Sequence, residues 1–71
     1  MELCQAVEQA LALLPQAQRE ALVLRHYQGM SFVEMARFLE TPATTLKSRF
    51  AAALVRVKDE LTRQGWNAED I

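Results

Sequence analysis

The chain has 71 residues, 51% hydrophobic, 24% charged and 7% aromatic, enough for one small domain and too few for a large enzyme. Eight basic and nine acidic residues give a formal net charge of -1, so the overall balance does not mark a polyanion binder. One cysteine, Cys4, and one histidine, His26, exclude an internal disulfide and a structural zinc ligand set, and no cofactor is implied.

Taken in chain order, the apolar positions have helical rather than alternating spacing. Leu3, Val7, Ala10, Leu11 and Leu14 form one stripe and predict a first helix over about residues 2–14. Pro15 ends it, because the proline ring disfavours helical geometry at Leu14. A second helix is predicted from Pro15 or Gln16 to Tyr27, with proline suited to its first turn and Gly29 to the left-handed position past its end. Ser31 and Glu34 form an S-x-x-E capping box ahead of Val33, Met35, Ala36 and Leu39, which predicts a short third helix from Ser31 to about Glu40. Met30, Phe32, Met35 and Phe38 read as core or edge of core around that helix.

Thr41 and Pro42 read as N-cap and first residue of a fourth helix that runs to about Arg63 and is closed by Gly65. Its expected core face comprises Leu46, Phe50, Ala53, Leu54, Val57 and Leu61, with Phe50 at the centre, while Thr44, Ser48, Ala51 and Val55 lie opposite. Residues 1–64 are therefore read as one all-α, four-helix domain, and residues 65–71 as a flexible, loosely held tail beginning around Trp66. No apolar stretch approaches the length that crosses a bilayer, so no membrane partner is expected and the reading is soluble and cytoplasmic.

A short capped helix, a tight break and a longer amphipathic helix make the layout of a helix-turn-helix. Charge supports that reading once it is resolved along the chain. Residues 1–36 carry Arg19 and Arg25 against Glu2, Glu8, Glu20 and Glu34, whereas residues 41–58 carry Lys47, Arg49, Arg56 and Lys58 and no acid. Local clustering matters because the field of a charge extends only ~10 Å in ordinary salt. Helical spacing pairs Arg56 with Glu60 and Arg63 with Asp59 as ordinary surface contacts. Lys47 and Arg49 have no acid within four residues and sit near the positive end of the helix dipole, so an external anion such as a phosphate backbone is their natural partner. Lys47, Arg49, Arg56 and Lys58 limit this helix to about four phosphate contacts. Cys4 reads as a small hydrophobe and His26 as a structural or surface residue, and no nucleophile or acid–base pair assembles into an enzyme site.

The run LPQAQREALVLRHYQGMSFVEMARFLETPATTLKSRFAAALVRVKDEL, covering about Leu14 to Leu61, resembles region four of bacterial sigma factors, particularly the extracytoplasmic-function group. The matching pieces are Leu14, Pro15 and Arg19; then Gly29, Ser31, Phe32, Glu34, Met35 and Ala36; then Thr45, Leu46, Lys47, Ser48 and Arg49. The resemblance implies a four-helix domain that reads the minus-35 promoter element with its last helix and docks on the flap of RNA polymerase's beta subunit, with an anti-sigma factor as a further partner. It implies that Lys47 and Ser48 face the bases, that Thr45 and Arg49 contact or flank phosphate, and that the DNA-binding set is Thr44, Thr45, Lys47, Ser48, Arg49, Ala51, Ala52 and Arg56. Where the family commonly places a bulky residue and Arg-Ala-Arg, this chain has Ala51, Ala52, Ala53 and Leu54, which implies weaker autonomous binding. Two other readings are open to the same residues: a sigma-like interaction module that binds polymerase, an anti-sigma factor or itself through Ala51, Ala52 and Val55, and a response-regulator helix-turn-helix.

Overall fold

The computed structural model describes residues 2–66, and proline and left-handed corners divide them into helices. α1 spans Leu3–Ala12; α2 spans Gln16–Leu22 and is prolonged by a π-helical turn, Val23–Tyr27; α3 spans Phe32–Leu39 and α4 Ala43–Arg63. The all-α, four-helix expectation holds, and no strand occurs among the described residues.

Each corner has a physical cause. Pro15 has extended rather than helical backbone (φ -55°, ψ 146°), so it stands just before α2. Leu14 points into the core there, and its carbonyl accepts a hydrogen bond from the Arg19 guanidinium at 3.0 Å, which gives the Leu-Pro-x-x-x-Arg spacing a structural purpose. After the π turn, Gly29 adopts φ 70° and the Met30 N–H reaches back to the Leu24 carbonyl at 3.1 Å, a reversal that a left-handed residue permits.

Ser31 caps α3 as the sequence predicts. Its hydroxyl accepts from the Glu34 N–H at 3.0 Å, and the Glu34 carboxylate accepts from the Ser31 N–H at 2.9 Å. α3 closes at Glu40, a non-glycine residue at φ 51°, with the Thr41 N–H donating to the Ala36 carbonyl at 3.1 Å. The start of α4 differs from the sequence reading. The Thr41 hydroxyl donates to the Leu39 carbonyl at 3.0 Å, so it closes α3, and Pro42 becomes the residue that precedes α4.

Past the end of α4, Gly65 adopts a φ of 101° that lets the Trp66 N–H donate to the Leu61 carbonyl at 2.9 Å. That reversal places Trp66 against the core, so the residue expected to begin a loose tail is packed. The rest of the expected tail, residues 67–71, lies outside the described residues.

Two apolar clusters share α4. Ala6, Ala10, Leu14, Leu22, Ala53, Val57 and Leu61 join α1 and α2 to its C-terminal half, and Ala21, Met35 and Leu46 join α2 and α3 to its N-terminal half. Alanines at the contacts allow the backbones to approach closely. Phe50 packs against both clusters but is half-buried; the largest fully buried side chains are Met35, Leu46 and Leu61. Leu54, expected in the core, lies at the edge of the arc and is 39% exposed. Val33 (58% exposed) and Phe38 (68% exposed) also face outward, because α3 buries only the face bearing Met35 and partly covers Phe32, Ala36 and Leu39.

Two outcomes follow for stability. Phe50→Ala opens a gap between both clusters and should cost about 3 kcal/mol or more, whereas Leu54→Ala on the same predicted arc should cost under about 1 kcal/mol. Thermal melts followed by circular dichroism separate the two, and equal losses would contradict the packing. The hydrogen bonds from the Ser31 backbone and side chain hold the Glu34 carboxyl below its ordinary value of 4.5. Its folded-state pKa is depressed, so the stabilisation is fully present above about 4.5 and is lost as pH falls through the folded value. Glu34→Gln, which retains an acceptor for the Ser31 N–H, should flatten the melting temperature across that acid range; an unchanged acid profile would contradict the ionised cap.

Candidate nucleic-acid interface

α3, the Glu40–Pro42 turn and α4 form the helix-turn-helix, and packing decides which face of α4 remains available. At ~100° per residue, the stripe Leu46, Ala53, Val57 and Leu61 faces inward, and the opposite side carries Thr44, Ser48, Ala51 and Val55, all exposed. Lys47, exposed, lies on one flank of that side, while Arg49 and Thr45, both half-buried, lie on the other with Ala52. The sequence-predicted set from Thr44 to Ala52 is thereby brought to one end of α4, with a cation on each flank. Among the described residues neither Lys47 nor Arg49 forms an ion pair.

Arg56 is placed apart from that set. It lies seven residues beyond Arg49, ~10 Å along the helix axis, and borders a groove with Ala10, Leu13, Leu14, Asp59 and Arg63. The expected pairs Arg56–Glu60 and Arg63–Asp59 do not form. Arg63 instead pairs with Glu60 at i,i+3, its Nε donating to Oε2 at 3.0 Å, and Gln64 donates to the same carboxylate at 3.3 Å. These hydrogen bonds, Arg63's first, hold the Glu60 carboxyl below its usual range. Arg63 is therefore internally satisfied in a way that Lys47 is not.

One basic residue near the recognition helix was absent from the sequence-predicted set. Arg25, in the π turn, places its Cζ 5.4 Å from the centroid of the Phe32 ring, and Lys47 Nζ lies 5.9 Å from the same centroid. No local spacing signals this convergence, because the three residues come from the π turn, α3 and α4. Cys4 is exposed on α1, and His26 stacks edge-on to Tyr27 with ring centroids 5.2 Å apart. Among the described residues no group of His, Cys, Asp and Glu could hold a metal ion, and no helix is long and apolar enough to cross a membrane.

Comparison with known proteins fits this geometry. The family model for sigma-70, region 4 matches residues 4–57, from the start of α1 through most of α4. The chain belongs to the sigma-70 region 4 family. Region 4 is a non-enzymatic, DNA-binding helix-turn-helix domain of transcription initiation factors, in agreement with the fold and with the sequence reading. The chain is 39% identical over 59 residues to an RNA polymerase sigma-E factor of Streptomyces antibioticus, covering 83% of this chain and 33% of that protein. It is 40% identical over 58 residues to an RNA polymerase sigma-E factor of Streptomyces coelicolor, covering 82% of this chain and 33% of the relative. The chain thus spans about a third of the length of the curated relatives it matches. No solved structure matches it.

Proposed function

We propose that this region 4 domain recognises the minus-35 element of promoter DNA through α4 and contacts the flap of the RNA polymerase beta subunit during transcription initiation. One observation carries the reading: the N-terminal half of α4 presents a polar face whose two flanking cations, Lys47 and Arg49, lack carboxylate partners among the described residues. With that face in the major groove, the flanking cations reach the phosphates on either side, joined by the Thr45 hydroxyl. Lys47 and Ser48 supply donors for base edges, Thr44 adds a hydroxyl, and the Ala51 and Ala52 methyls suit contact with thymine methyl groups. Arg56 and Lys58, farther along α4, extend the phosphate contacts. Small side chains at positions 51 and 52 let the helix lie close to the bases but contribute no charge, so affinity is low in isolation and is raised by tethering to polymerase.

The exposed apolar residues Leu54 and Val55 favour a second reading, in which the same fold serves chiefly as an interaction module for polymerase, an anti-sigma factor or a second copy. A salt titration of binding to labelled duplexes separates the two. The expected result is that Lys47→Ala and Arg49→Ala each weaken binding and each flatten the slope of log K against log salt by about 0.9. Arg63→Ala should leave that slope alone, because Glu60 already holds the guanidinium. Salt-independent binding, or no change in either α4 variant, would contradict the proposal. Tight binding of a flap fragment or anti-sigma protein without duplex binding at low salt would favour the interaction module.

A further inference from the structure

We propose that Phe32 is a positioning residue for DNA binding, its ring gathering the Arg25 guanidinium and the Lys47 ammonium into one phosphate-binding pair. The proposal rests on the DNA-binding reading above and adds to it a contact from outside the recognition helix. Three elements build the pair. Arg25 comes from the π turn, with its Cζ 5.4 Å from the ring centroid; Lys47 comes from the second turn of α4, with its Nζ at 5.9 Å; Phe32 is the first residue of α3. Both distances fall within the ~6 Å over which a ring face attracts a cation.

The ring is well held. The Ser31–Glu34 cap fixes the backbone immediately before it, the Phe50 ring packs edge-on at 5.7 Å and 74°, and Met35 and Leu46 lie in the cluster beneath. Arg25 is held a second time, donating to the Met30 carbonyl at 3.3 Å. The π turn has wider spacing than an α-helix, which changes the direction in which Arg25 leaves α2.

Among the described residues neither cation forms an ion pair with a carboxylate, so both charges remain available to an external anion. A phosphate backbone supplies that anion, and the ring lowers the ordering cost of binding it by restricting the Lys47 and Arg25 side chains in advance. Phe32 thus acts through the cations. Its removal should lower affinity while leaving the number of neutralised phosphates unchanged.

The test uses Phe32→Leu, which keeps an apolar side chain without a π face, and Phe32→Tyr, which keeps the face. Both are compared with the parent domain and with a Lys47→Ala, Arg25→Ala background, and folding is checked by thermal melts. Phe32→Leu should weaken duplex binding about two- to fivefold with an unchanged salt slope, Phe32→Tyr should restore parental binding, and neither should matter in the double-alanine background. Arg25→Ala should flatten the slope by about 0.9. Proton NMR of the unliganded parent should show upfield ring-current shifts at the Arg25 δ and Lys47 ε methylenes, a readout that does not require Phe32→Leu to fold. Absent ring-current shifts, an equal Phe32→Leu effect in the double-alanine background, or an unchanged slope for Arg25→Ala would overturn the proposal. Ring-current shifts in a parent that binds no duplex at low salt would contradict both the DNA reading and the phosphate assignment. Normal duplex binding without the shifts would remove the platform alone.

Discussion

A single stripe of α4 holds this domain together. Leu46, Ala53, Val57 and Leu61 are buried along it, and Phe50 spans the two clusters that α1, α2 and α3 form against it. Because all three other helices pack on that side, the opposite side has no internal cover among the described residues. A domain of this length has only ~3–5 kcal/mol of net stability, so the stripe cannot be redistributed around the helix without losing the fold. The division that stabilises the domain is also the one that gives it a surface for another molecule.

The direction of that surface is set at helix ends. Gly29, Glu40 and Gly65 each take a positive φ, and each reversal aims the next segment: Ser31 and α3, then Pro42 and α4, then Trp66 onto the core. Glu40 achieves this without glycine's freedom, which costs about 1 kcal/mol. Ser31 serves twice. Its cap starts α3 and also fixes the backbone next to Phe32, over whose ring Arg25 and Lys47 lie.

Most of the helical layout was legible because its signals are local. Pro15, Gly29 and the Ser31–Glu34 box act within a few residues of themselves, and the structure follows them. The errors arise where the outcome depends on a neighbour. Periodicity placed Leu54 and Phe50 on the inner side of α4, but only the extent of α1, α2 and α3 determines that Leu54 is left at the edge and Phe50 half-covered. Residue type reads Phe38 as core or edge of core, yet α3 is too short to bury more than one face. Glu60 could meet Arg56 at i-4 or Arg63 at i+3, and spacing alone does not rank them. The exposed side of α4 was readable from the phase of one helix. Arg25 was not, because its meeting with Phe32 and Lys47 is made by tertiary packing.

On the proposed reading, the uncovered side of α4, rather than the groove beside α1, receives DNA. A titration of the isotopically labelled domain with a promoter duplex at low salt, followed by NMR shift mapping, tests it most directly. Perturbations centred on Thr44, Lys47, Ser48 and Ala51, with little change at Ala10, Leu13 and Arg63, are the predicted result. Perturbations centred on Leu13 and the groove between α1 and the C-terminal half of α4, with Lys47 and Ser48 unmoved, would contradict it.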